Sequence, residues 1–201
     1  MKLIFKIALA FVACVTFGFV ARRITHRNPV LENSVLIPRE QTLAFISHFN
    51  ANQNNKMVVE FMDFECTPCR LAHPDLKKWL LRHPEVSFTS VHFPLDMHPH
   101  ALNAAITAEM TRAKGKFNQA FDDLYEGKTK LDDKSLAAYL RAIDPSLNTD
   151  RHERELAKVR VTKDMEFVKK MKVNATPTIL AWDGYALYSI HAESGLNLLE
   201  K

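Results

Sequence analysis

Cysteine is scarce in this chain. Of 201 residues only three are cysteine: Cys14 in an apolar N-terminal segment, then Cys66 and Cys69. With no second pair, a four-cysteine metal site is excluded. Excess charge of one sign is lacking too. The formal net charge is +4, and without the first 21 residues it falls to +2, with 25 basic against 23 acidic residues. The basic residues are scattered, so no nucleic-acid partner is expected. Low-complexity tracts and repeats are also missing. What remains has the length and composition of one globular domain with a substantial core and room for an inserted subdomain.

One long apolar run exists, and it lies at the N-terminus. Lys2 and Lys6 precede an uncharged stretch from Ile7 to Ala21, and Arg22 and Arg23 follow. Basic flanks around an apolar core read as a signal peptide or a membrane anchor. The run is short for a full span, although Leu3 to Phe5 extend it if Lys6 snorkels. A cleavage site is poorly marked, so the segment is read as an uncleaved anchor. An oxidising, extracytoplasmic location fits the dithiol downstream.

The richest stretch is MVVEFMDFECTPCRL, residues 57–71. Met57, Val58, Val59, Phe61, Met62 and Phe64 form a run suited to a strand covered on both faces. Cys66-Thr67-Pro68-Cys69 follows at once, and Leu71, Leu76, Trp79 and Leu80 then fall at helical spacing. The dithiol therefore opens a helix directly after a strand. The free N–H groups and dipole of a helix N-terminus favour an anion, here the Cys66 thiolate. Such a pair can work as a redox dithiol, with Cys66 the exposed attacker and Cys69 one turn further in. It can also be a structural disulfide or half of a zinc site.

The rest of the chain divides cleanly. Residues 24–55 form a polar approach with one amphipathic stretch at Leu43, Phe45, Ile46 and Phe49. Val86 to Phe93 alternates as a second strand after the His83-Pro84 stop. Helical periodicity then predicts three helices over residues 102–143, the third capped by Asp132 or Asp133. A long charged helix over residues 149–171 carries a stripe of Leu156, Val159, Phe167 and Met171. Strands return at residues 178–182 and 185–190 around Asp183-Gly184, a two-residue hairpin signal. A tail of about two helical turns follows. The order predicts an α/β fold with an inserted helical subdomain.

A second motif, Val173-Asn174-Ala175-Thr176-Pro177-Thr178, stands just before a strand. Pro177 reads as a strand-start proline or as a cis proline that leaves the Thr176 backbone free for a peptide. With this motif the chain resembles the thioredoxin superfamily and, within it, the DsbA-like thiol:disulfide oxidoreductases. The resemblance rests on VVEFMDFECTPC, on HFPLDMHPHALNAAITAEMTRAKGKFNQAFDDLYEG and on VNATPTIL, and covers roughly residues 57–190. The 111 residues separating Cys66 from Pro177 match the DsbA-type helical insertion.

The resemblance implies a thioredoxin-like domain over residues 56–201, with its helical insertion at about 98–171, behind an N-terminal segment over residues 1–23. It implies Cys66 as nucleophile, Cys69 as resolving thiol, and a Cys66–Cys69 disulfide in the oxidised form. Pro177 becomes the cis proline beside the sulfurs. Thr176, with Thr67 and Pro68, meets the substrate. Glu60 takes the place of the family's buried acid, and a carboxyl inside an apolar strand suits proton transfer to or from Cys69. The implied partners are cysteine-containing proteins and a membrane redox partner that resets the dithiol, in the periplasm or elsewhere outside the cytoplasm, with the chain held to the inner membrane. No organic cofactor is implied.

This chain departs from the family pattern in its Thr67-Pro68 dipeptide, which lacks a histidine beside the second cysteine. Together with Glu65, and opposed by Arg70, this predicts a less oxidising disulfide. Thr176 before the proline resembles the reductase and isomerase branches. One competing constellation stands beside the dithiol: Cys66, Cys69 and His73 as three metal ligands, with His92, His98 and His100 near a loop.

Overall fold

The computed structural model describes residues 33–191 and 193–200. The N-terminal apolar segment expected to anchor the chain lies outside these residues. Among the described residues, no helix is long and apolar enough to cross a membrane.

A five-stranded sheet forms the centre, in the order β1-β5-β4-β2-β3. The strands are β1 (Ser34–Leu36), β2 (Lys56–Met62), β3 (Val86–His92), β4 (Thr178–Trp182) and β5 (Leu187–Ile190). β2 runs parallel to β3 and antiparallel to β4, so it is covered by neighbours on both edges. Helices α1 (Arg39–Phe49) and α2 (Thr67–Arg82) flank β2 in sequence. Between β3 and β4 lie α3 (Ala101–Met110), α4 (Phe117–Tyr125), α5 (Asp133–Ile143) and α6 (Arg151–Met171).

Side chains on a strand alternate between faces, and β2 uses both. Met57, Val59 and Phe61 pack with Phe45 of α1 and with Phe167, Val168 and Met171 of α6. Val58 faces the other way, onto Leu76 and Trp79 of α2 and Leu199 of the C-terminal segment. Met62, on this second face, joins Phe64 and the helical insertion. Both faces being covered explains the unbroken apolar run. Alternation also puts Glu60 on the α2 face, between Val58 and Met62.

Helix ends follow local chemistry. Asp132 caps α5 by accepting from the Ser135 N–H, and Asp150 caps α6 by accepting from the Glu153 N–H. Asn50 and Lys172 close α1 and α6 in the left-handed region, at φ 52° and 53°.

Several expectations are corrected. The approach segment supplies a strand, β1, besides its helix. In α6 the inward positions of the first half are Ala157 and Val161, while Leu156 and Val159 are exposed. In α2, Leu71 points outward with 73% of its surface free, and His73 takes a buried position. The β4–β5 hairpin forms with its two-residue turn one position later than expected, at Gly184–Tyr185: the Asp183 N–H donates to the Ala186 carbonyl, and the Asp183 carboxylate accepts from the N–H groups of Tyr185 and Ala186. Gly184 there has φ 100°, which glycine adopts freely. The tail is a 3₁₀ helix over Glu193–Glu200 rather than an α-helix.

Candidate active site

Cys66 is the N-cap residue of α2. Its Sγ accepts the Cys69 N–H at 3.3 Å, one of the donors that a helix start leaves unpaired. The same sulfur's S–H donates to the Thr176 carbonyl at 3.3 Å. The Thr176–Pro177 peptide is cis. Two motifs 110 residues apart thus meet at one sulfur.

Both cysteines are free thiols. Cys69 is fully buried, and Cys66, expected to be exposed, keeps only 3% of its surface. The Thr176 carbonyl lies against that sulfur. Burial first, then the hydrogen bond shared with Cys66, drives the Cys69 thiol far above its ordinary value. Thr67 and Pro68 are exposed at the start of the helix.

Glu60 is completely buried. Its Oε1 accepts the Tyr125 hydroxyl at 3.3 Å, while Oε2 has no hydrogen-bond partner among the described residues. The Tyr125 hydroxyl is held well above the usual tyrosine range by burial, then by the charges of Glu60, Cys69 and Cys66. Tyr125 packs in one buried cluster with Cys66 and Cys69 while holding Glu60, so the acid and both thiols share one enclosure. His73 stacks on the Tyr125 ring at 4.4 Å and 12°.

The residues beside the motif are engaged elsewhere. The Glu65 carboxylate accepts the His100 N–H at 2.6 Å, and Arg70 Nε donates to the Tyr125 carbonyl at 3.0 Å. Asp63 accepts the Glu65 N–H, the Leu95 N–H and His98 Nδ1, all within 2.8 Å. These bonds fasten the 94–100 loop to the turn that carries Cys66.

The three-ligand metal reading does not survive. His73 turns its ring towards Glu60 and Asp122, not the sulfurs. Among the described residues no group of three or more His, Cys, Asp or Glu is arranged to hold a metal. His92 pairs with Glu109 and His98 with Asp63, so the histidines near the loop serve separate carboxylates.

Sequence reasoning missed Tyr125 and the placement of His73. Tyr125 lies 65 residues from Glu60, inside the helical insertion, and nothing local marks it. A histidine at an inward position of α2, one turn after Cys69, was the available signal for the other. Beside Pro177, a cavity of about 350 Å³ is lined by Ala72, Asp75, Leu76, Ile179, His191 and Leu196, among others.

Comparison with known proteins agrees with this geometry. A family model described as Thioredoxin matches residues 50–199. Similar solved structures include DsbA2 of Pseudomonas aeruginosa, 24% identical over 73% of this chain and 90% of that one, with a TM-score of 0.55. A thioredoxin-like oxidoreductase from Silicibacter pomeroyi is 20% identical, covering 81% and 96% of the two chains, with a TM-score of 0.64. The catalytic domain of Proteus mirabilis ScsC is 15% identical, covering 82% and 97%, with a TM-score of 0.62. A curated relative, the Na(+)/H(+) antiporter NhaA 3 of Salinispora tropica, is 33% identical over 126 residues, 60% of this chain and 19% of that protein. The chain thus spans about a fifth of the length of the curated relatives it matches. With the family model covering most of its length, the chain belongs to the thioredoxin family, and its fold, with helices inserted between β3 and β4, is similar to that of the DsbA structures.

Proposed function

We propose that this chain is a thiol:disulfide oxidoreductase that exchanges disulfides with cysteine-containing proteins. The observation that carries the reading is Cys66 Sγ at the N-cap of α2, held between the Cys69 N–H and the Thr176 carbonyl. The likeness to DsbA and ScsC structures supports it. A substrate thiolate attacks Cys66 Sγ of the disulfide form; the new S–S bond joins substrate to Cys66, and Cys69 leaves with the electron pair and takes a proton. In reverse, Cys69 loses its proton, attacks Cys66 Sγ and releases the substrate thiolate. Buried Glu60 supplies or accepts that proton. Thr176 and Pro177 line the place where the substrate's backbone lies, with Thr67 and Pro68 at its rim.

The reading extends to place and partners. Basic flanks around the N-terminal apolar run support export and retention at the inner membrane, facing the periplasm. A membrane redox partner then resets the dithiol. The domain boundaries proposed are residues 1–23 for the tether and 56–201 for the catalytic domain, with residues 24–55 adding β1 and α1 to its sheet.

The direction of exchange is tested by the reduction potential of the Cys66–Cys69 pair, found by equilibration with glutathione and trapping of free thiols. A value around −120 to −180 mV marks a donor of disulfides; around −230 to −270 mV marks a reductase. Thr67-Pro68 between the cysteines and Thr176 before Pro177 favour the second range. Full exchange activity in a Cys66→Ser protein would sink the reading in either direction.

A further inference from the structure

The buried acid of a dithiol site must exchange its proton with solvent, and Glu60 has no surface of its own. Its unpartnered Oε2 stands 3.7 Å from His73 Nδ1. On the other side of that ring, Nε2 stands 3.6 Å from Asp122 Oδ1, and Asp122 Oδ2 binds Lys77 Nζ at 2.5 Å. The His73 side chain is only 9% exposed, and neither ring nitrogen has a hydrogen-bond partner among the described residues. Two free nitrogens on a buried imidazole are costly to leave unused. Asp122 keeps a third of its side-chain surface in solvent. Both residues line a cavity of about 440 Å³, together with Lys77, Asn118 and Arg112.

We propose that His73 is a proton-relay residue linking buried Glu60 to this cavity, with Asp122 at its mouth; the inference rests on the thiol–disulfide reading above. The relay is redox-neutral. When Cys69 leaves as a thiolate, Glu60 gives it one proton and is refilled from His73 Nδ1–H as Nε2 takes a proton from solvent beside Asp122, so the ring never passes through an anion. For the attack of Cys69, each transfer runs backward. Gaps of 3.6–3.7 Å exceed hydrogen-bond length and close with a movement under about 1 Å, as loose sites do on binding substrate. The groups facing the ring are Glu60 from β2, Asp122 and Tyr125 from α4, and Lys77 from α2, with Arg112 across the cavity. An imidazole suits the task because one ring nitrogen can take a proton while the other gives one.

The test uses the full-length protein in its disulfide form, mixed with reduced glutathione and quenched at intervals to follow release of the Cys69 thiol. His73→Ala is expected to slow release about tenfold or more. Added imidazole is expected to restore the rate. Pyrazole, a ring of the same shape and far weaker basicity, is expected not to. An unchanged rate in His73→Ala, or equal rescue by both heterocycles, would reduce His73 to packing and overturn the relay. Should the alanine variant not fold, His73→Gln, similar in length and unable to titrate, gives the same readout, and a wild-type rate there overturns the relay. Failure of the unmodified protein to react with glutathione would instead overturn the exchange reading beneath it.

Discussion

Among the described residues, two histidine–carboxylate pairs have both side chains buried, and they are built differently. Glu109 is held at both oxygens: Oε1 by His92 and Arg112, Oε2 by Arg112 Nε at 2.8 Å. Burial alone would raise its pKa; the hydrogen bonds from Arg112 and His92 overcome this and leave it at about 2. Glu60, no less buried, is held at one oxygen only, and its histidine stands beyond hydrogen-bond distance. Glu109 is held as an ion, and its bonds to His92 and Arg112 fix α3 against β3. The Glu60 pair is left under-satisfied beside two thiols and a cavity. Incomplete satisfaction in a buried site marks chemistry, because a group tied by every lone pair cannot pass a proton on.

That contrast can be broken by substitution. The largest expected effect is on chemistry: Cys66→Ser abolishes disulfide exchange, and Cys69→Ser accumulates a mixed disulfide with substrate, visible on a non-reducing gel. Next come the two acids. Glu60→Gln is expected to slow release of the Cys69 thiol about tenfold or more. In urea unfolding it should move stability by less than about 1 kcal/mol, since one of its oxygens had no bond to lose. Glu109→Ala is expected to do the opposite, leaving the exchange rate intact and lowering stability by about 3 kcal/mol. That is the low end for breaking a buried pair, because Arg112 keeps 48% of its side chain in solvent.

The pairs also separate in acid. Glu109 has a folded-state pKa below its ordinary 4.5, so its contribution is complete above about 4.5 and is lost as pH falls towards about 2. Wild-type stability should decline across that window, and Glu109→Ala should decline less steeply; denaturant midpoints at several pH values measure both. The smallest effect expected lies outside either pair. Lys172 closes α6 at φ 53°, so Lys172→Gly should raise stability by about 0.5–1 kcal/mol, read in the same urea titration. Its exposed ion pair with Glu40 adds little to lose.

Much of the site was legible in sequence because its parts are local. The run from Met57 to Phe64, the dithiol at a helix start and the proline before β4 each carry their own signal, and strand alternation explains why Glu60 turns towards α2. What escaped depends on contacts made only after packing. Tyr125 and Asp122 reach Glu60 and His73 from an inserted helix, and no periodicity announces that meeting. Leu156 and Val159 looked inward because they are apolar, yet Ala157 and Val161 are the buried positions of the first half of α6. β1 was hidden by its length, three residues among polar neighbours, and gains its order from pairing with β5.

That pairing draws the two described ends of the chain together. His191 N–H donates to the Asn33 carbonyl at 2.9 Å, and a side chain at Gly195 would come within 2.6 Å of the same oxygen. Residues 33 and 195 therefore share one seam. His191 and Leu196, on either side of the seam's second half, also line the cavity beside Pro177. A pull on whatever precedes Asn33 would be felt first at this closure and next at the wall of the cavity beside Pro177. The closure of the sheet's edge and the wall of that cavity are mechanically one part.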